Sequence, residues 1–196
     1  MEIKQASLDD VPGIAALTDR FARNGEILPR RMEDIYQTVR EWVVAKEDGR
    51  IVGCASLVVL WADMAEVRSL VVVPEAQGKG VGRRLMAALL VQAARMELPQ
   101  VIALTRKPGF FVKLGFRTVP RESLPRKIWK DCVHCTKFVG CDEVAMVRPV
   151  YIPVEEQERP VPVLIGAASQ PAPAAHAQGA TRHDAKSFLV TLDPGV

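Results

Sequence analysis

Between Val73 and Leu85 the chain runs Val-Pro-Glu-Ala-Gln77-Gly78-Lys79-Gly80-Val81-Gly82-Arg83-Arg84-Leu, a β-branched run that passes through three glycines into an apolar period of helical spacing. Glycine lets a backbone adopt conformations closed to other residues and lets it approach a ligand closely. The start of a helix points unpaired N–H groups and a partial positive charge at whatever binds there. Lys79, Arg83 and Arg84 add formal positive charge, so the stretch suits a pyrophosphate. A tight strand-to-helix turn would have the same composition. A P-loop fits worse, because it needs Gly-Lys-Ser/Thr at the helix start and Val81 follows Gly80 here. A dinucleotide fold would place parallel βαβ units on both sides.

Two further groups of residues could do chemistry. Glu66 and Arg68 lie two apart in a β-branched run, so their side chains share one face and can pair. Cys132-x-x-Cys135-x5-Cys141, with His134 between, has the ligand types of a tetrahedral zinc site. Its spacing is incomplete, since a full site would show two separated pairs. No metal centre is expected; reduced structural thiols come first among the readings, with metal and redox regulation left open. Cys54 stands apart in an apolar run.

These residues need elements to position them, and the first ~150 residues alternate between the two periods. Glu2 to Gln5 reads as a short strand. Ser7 or Asp9 can cap a helix whose apolar face is Val11, Ile14, Leu17 or Thr18, and Phe21. A second helical stretch after Pro29 carries Met32, Ile35, Tyr36 and Val39 on one side. Trp42–Ala45 and Ile51–Leu60 flank Asp48-Gly49, a strong hairpin signal. Glu66 to Val73 is a third large strand. A helix from about Lys79 to Met96 is expected to bury Val81, Leu85, Leu89, Ala93 and Met96. A strand from Gln100 to Thr105, a short helix around Phe110 to Leu114, and strands near Phe116 to Val119 and Glu143 to Val150 complete the order β-α-α-β-β-β-α-β-α-β-β. Antiparallel hairpins with one crossover helix exclude a doubly wound parallel sheet.

Gln77, Gly80 and Gly82 match the Gln/Arg-x-x-Gly-x-Gly/Ala signature of the GNAT acetyltransferase superfamily. Phe110-Phe-Val-Lys-Leu-Gly-Phe116 resembles that family's helix and Gly-Phe step. Leu28-Pro-Arg30, Leu60 to Leu70, Ala103-Leu-Thr105, Leu124 to Cys132 and Cys141 to Met146 are similar to short single-domain N-acetylglutamate synthases. The resemblance covers roughly residues 1 to 150. It implies an α/β GNAT fold, a mixed and mostly antiparallel twisted sheet of about seven strands with helices on both faces. It also implies acetyl-CoA as cosubstrate and acetyl transfer to the α-amine of L-glutamate, in arginine biosynthesis.

Residue by residue, the resemblance places Glu66 as general base through water, with a plain ion pair to Arg68 as the alternative. The backbone of Leu70, Val71, Val72 and Val73 would hold the pantetheine arm, and Gln77, Gly78, Lys79, Gly80, Val81, Gly82 and Arg83 the pyrophosphate. Phe111 lies against the cosubstrate, at the position where many members carry a tyrosine that protonates the leaving thiolate. Thr105 is then a substitute hydroxyl, or an ordinary strand residue. Two carboxylates on the acceptor call for at least two cations, and Arg30, Arg68 and Lys127 are the candidates.

The 196-residue chain is long enough for one domain with a real core, and its net charge of +3 is too small and dispersed to imply nucleic acid. No apolar run approaches the ~20 residues of a membrane span, and Met-Glu-Ile-Lys-Gln is not a signal peptide, so a cytoplasmic protein is expected. Residues 1–152 should form the catalytic domain and 153–196 a mobile Pro/Ala-rich tail, with Lys186–Leu192 as a short terminal strand. Sheet-edge pairing is common in the superfamily, which makes a homodimer an expectation by analogy alone. The alternative acceptors are another small amine such as glutamine or an antibiotic. A further alternative is an acetyl-CoA-binding sensor without turnover.

Overall fold

The computed structural model describes residues 1–124 and 140–150. Lys127, Cys132, His134, Cys135 and the segment from 153 onward, including the expected domain boundary, lie outside the described residues.

The element order is the one the two periods give: β1 (Glu2–Gln5), α1 (Val11–Arg23), α2 (Met32–Gln37), β2 (Trp42–Glu47), β3 (Arg50–Trp61), β4 (Met64–Val72), α3 (Val81–Arg95), β5 (Gln100–Thr105), α4 (Pro108–Val112), β6 (Arg117–Thr118) and β7 (Val144–Pro149). Among the described residues, seven strands form one sheet in the order β1-β2-β3-β4-β5-β7-β6. Every neighbouring pair is antiparallel except β4 and β5, which are joined by the α3 crossover. Asp48 and Gly49, both at positive φ, close the β2–β3 hairpin with Glu47 opposite Arg50, as a mirror-image turn requires.

Helices cover both faces. On one, Val81, Leu85, Met86, Leu89 and Ala93 of α3 pack on Val43, Ala45, Ala55, Leu57, Ala65 and Val67. On the other, Val11, Ile14, Leu17 and Phe21 of α1 and Ile35 of α2 pack on Trp42, Val44, Cys54 and Val71. Strict alternation would put Val71 on the same face as Ala65 and Val67. It lies on the opposite one because β4 carries an extra residue: Ser56 faces Arg68 but Cys54 faces Val71. This bulge centres on Ser69, whose φ is +51°. A bulge bends its strand and re-aims the residues beyond it.

Two expectations about packing are corrected. Met96 is exposed, because α3 ends at Arg95 and a Schellman turn with Glu97 at φ +55° sends the Leu98 N–H back to the Ala93 carbonyl. Leu98 is buried in its place. Of the expected apolar side of α2, Ile35 is buried whereas Met32 and Tyr36 are exposed, since this helix is only six residues long.

Candidate active site

The β4–β5 ladder runs from Met64↔Gln100 to Val67↔Ala103 and stops. Beyond that point β4 follows β3 to Val72, while β5 stays with β7 to Thr105. The sheet therefore opens along Arg68–Val72, leaving that edge of β4 without a β5 partner. A cavity of about 610 Å³ fills the opening, within the size range of small-molecule sites.

At one end the cavity meets the loop between β4 and α3. The Gln77 side-chain amide donates to the Val72 carbonyl at 2.9 Å and so fixes the loop to the strand. Gly78 and Gly80 sit at φ +74° and +79°, with open space where a side chain would begin. Gly80 caps α3, whose first N–H groups then face the cavity wall formed by Val81, Gly82 and Arg83. Gly82 meets a different constraint: a Cβ there would lie 3.3 Å from the Phe110 ring, which would have to shift by a few tenths of an ångström. Phe110 in turn stacks edge-to-face on Phe111, and Phe111 on Phe116, with centroids 5.2 and 5.1 Å apart.

At the other end, Glu66 and Arg68 share a face of β4 and form an ion pair, with Arg68 Nε 2.5 Å from Glu66 Oε2. The side chains are only 8% and 16% exposed, so the pair is shielded from bulk water. Arg30, reached from the α1–α2 connection, donates through Nε to Ser69 Oγ at 3.3 Å. Glu41, just ahead of β2, lies near both arginines; burial pushes its carboxyl upward, and Arg68 and Arg30 oppose that rise. Thr105 is buried at the end of β5, and its hydroxyl oxygen accepts the Lys107 N–H at 2.9 Å. Its own O–H therefore remains able to donate elsewhere. Glu143, immediately before β7, is part of the same wall, with Cys141 Sγ 3.9 Å from its carboxylate.

The mouth is bridged by two loops. Gly25 at φ +66° ends α1 in a Schellman turn, and its carbonyl accepts from Arg106 at 2.5 Å. Next to it, Glu26 pairs with Lys107 at 3.6 Å.

The cavity thus brings together Arg30, Glu66, Arg68, Leu70, Val71, Val72, Gln77, Gly78, Gly80, Val81, Gly82, Arg83, Thr105 and Phe111. Two expected residues do not join its wall. Lys79 is exposed on the loop, and the Val73 N–H is spent on the Val52 carbonyl, 2.9 Å away. Ser69 and Glu143 in the wall, and Glu41 near its arginines, were not anticipated. A serine in a strand and a lone glutamate beside one carry no sequence signal, and only the tertiary fold brings them here. Among the described residues no cluster of three or more His, Cys, Asp or Glu could hold a metal ion, and no helix is long and apolar enough to cross a membrane.

A strand that parts from its parallel neighbour, followed by a glycine loop on a helix start, is the layout of one acetyltransferase class, and comparison with known proteins agrees. Residues 39–118 match the model of the acetyltransferase (GNAT) domain. An uncharacterised N-acetyltransferase of Chlorobaculum tepidum is 35% identical over 146 residues, 74% of this chain and 94% of that protein. An amino-acid acetyltransferase of Mycobacterium tuberculosis is 36% identical over 66% of this chain and 75% of its own length. Among solved structures, N-acetylglutamate synthase from Neisseria gonorrhoeae, complexed with coenzyme A and N-acetyl-glutamate, superposes with a TM-score of 0.70 at 31% identity. The match covers 77% of this chain and 35% of that one.

The chain belongs to the GNAT acetyltransferase family. Its cosubstrate is acetyl-CoA, and the residues present fit it: Gly78 and Gly80 leave the loop backbone open to close approach, and the unpartnered edge of β4 leads away from that loop toward Glu66. From Val72 back to Glu66 the strand spans roughly 20 Å.

Proposed function

We propose that the chain acetylates the α-amino group of L-glutamate and that this reaction serves arginine biosynthesis. The reading is supported by its relatives, named amino-acid acetyltransferase, and by the solved synthase that holds N-acetyl-glutamate. The observation that carries it is the grouping of Glu66, Arg30 and Arg68 in one cavity wall, a strand's length from the glycine loop. Arg30 is suited to the acceptor's α-carboxylate, and its Nε bond to Ser69 sets its direction.

In this reading Glu66 takes a proton from the α-ammonium, directly or through a water. The freed amine attacks the thioester carbonyl carbon, the C–N bond forms, and the C–S bond breaks. Backbone N–H groups along Leu70–Val72 stabilise the oxyanion that forms in between. The adduct's nitrogen still has a second proton to lose, and Thr105 relays it: its hydroxyl protonates the departing thiolate, the role for which Phe111 has no hydroxyl, and recovers a proton from that nitrogen. A second acceptor class, amino acids with one carboxylate such as glutamine, is favoured by the Glu66–Arg68 pair, which already occupies one of the two arginines.

The test is release of free CoA thiol with each of the twenty amino acids. Highest kcat/KM with glutamate is expected. A preference for glutamine or another neutral side chain would leave the family standing and remove the glutamate assignment. Tight acetyl-CoA binding without thiol release for any amine would point to a sensor.

A further inference from the structure

We propose that Arg68 is a positioning residue, which holds the Glu66 carboxylate in place and charged for proton transfer instead of serving as a second cation for the acceptor. The inference rests on the reading of Glu66 as the base.

Three features of the site support it. Arg68 and Glu66 stand two apart on β4, so the sheet itself sets their spacing, and the guanidinium Nε meets Oε2 at 2.5 Å. Arg68 occupies the last regular position before the bulge, opposite Ser56, whose hydroxyl donates to the Arg68 carbonyl at 3.3 Å. Its backbone is thus held next to the bulge of β4. Finally, Glu66 is nearly excluded from solvent, and a carboxylate in that setting protonates at higher pH unless a cation is beside it.

Several other charged groups of the wall have engagements of their own, while Arg83 stands at its glycine-loop end. Arg30 donates to Ser69, Lys107 pairs with Glu26, and Arg106 is bound to the Gly25 carbonyl. Glu143 lines the same cavity, and Glu41, whose carboxyl burial pushes upward, lies near Arg68 and Arg30. A second acceptor carboxylate on Arg68 would have to share the guanidinium with Glu66, placing two like charges against each other inside the cavity. Base and cation therefore act as one unit, and the acceptor's own contacts fall to Arg30 and its surroundings.

The experiment is the pH profile of kcat, together with acceptor KM, for the wild type, Arg68→Gln, Arg68→Lys and Glu66→Gln. Binding of acetyl-CoA by each variant reports folding. In Arg68→Gln the acid limb of kcat should move to higher pH by about one unit or more, while acceptor KM stays nearly constant. Arg68→Lys should return the limb most of the way, since the charge is kept, and it carries the test alone if the glutamine variant does not fold. A tenfold or larger rise in acceptor KM with an unmoved limb would overturn the proposal and make Arg68 an acceptor contact. Wild-type kcat in Glu66→Gln would remove the base and the inference together. Loss of kcat there, with an unmoved limb in Arg68→Gln, would keep the base and reject its partner.

Discussion

Replacing Thr105 by valine keeps the β-branched shape that β5 packs and deletes a single hydroxyl, which separates chemistry from packing. The structural part of the change is one hydrogen bond, from the Lys107 N–H to Thr105 Oγ1 at 2.9 Å. Because Lys107 is exposed, water can take over that N–H, and the loss should be about 1 kcal/mol. For a chain of this size that lowers Tm by about 2–4 °C, far too little to unfold the enzyme under assay. The catalytic part, in the proposed mechanism, is proton donation to the leaving thiolate. General acids contribute about 10²–10⁴-fold, but a thiol with a pKa of about 8.5 leaves with little help. The low end applies, about a hundredfold in kcat, or about 2.7 kcal/mol of barrier. Thr105→Ser keeps the hydroxyl and should retain most of kcat. The assay is CoA thiol release at saturating acetyl-CoA and acceptor, with thermal denaturation in parallel. A Thr105→Val enzyme within about threefold of wild type, yet destabilised as calculated, would reduce Thr105 to the cap of the β5–α4 turn and refute its role as donor.

Gly80→Ala forces alanine into φ +79° at the start of α3, costing about 1–2 kcal/mol. Its KM for acetyl-CoA should rise while acceptor KM is unchanged, in steady-state kinetics with each substrate varied. Asp10 is a structural case far from the chemistry. Burial pushes its carboxyl up, but the Lys46 ammonium and the hydroxyl and N–H of Ser7 outweigh that and hold it at about 2, below its ordinary 3.8. A depressed carboxyl stabilises the fold above its unfolded pKa, and that contribution is lost as pH falls through about 2. Asp10→Asn should therefore cost about 2 kcal/mol at neutral pH, with the difference from wild type closing between pH 4 and 2 in denaturant titrations.

The order of elements was legible because the hydrophobic period changes cleanly. Val11, Ile14, Phe21 and Leu85, Leu89, Ala93 recur at helical spacing, whereas Asp48-Gly49 interrupts a β-branched run at the point where the chain must reverse. The glycine loop was legible for a similarly local reason, as positive φ at Gly78 and Gly80 demands that residue type. Local rules failed where a residue broke its own preference. Glu97 and Ser69 adopt positive φ without being glycine, so neither the early end of α3 nor the bulge in β4 announced itself. The pairing of Glu66 with Arg68 followed from two-residue spacing. The arrival of Glu143 and Ser69 in the same cavity wall, and of Glu41 near its arginines, did not, because it depends on which strands become neighbours.

The offset in β4 has a genetic reading. Three residues of β4 span what two span on β3, and from that point Val71 faces α1 instead of α3. An in-frame loss of one codon between Arg68 and Leu70 would spare both the glycine loop and the Glu66–Arg68 pair. It would nonetheless restore plain alternation, with Val71 still opposite Cys54 on the α1 side, and take away the bend at the point where β4 leaves β5. The distance between a closed sheet and one that admits a thioester arm is, in this chain, the length of a single codon.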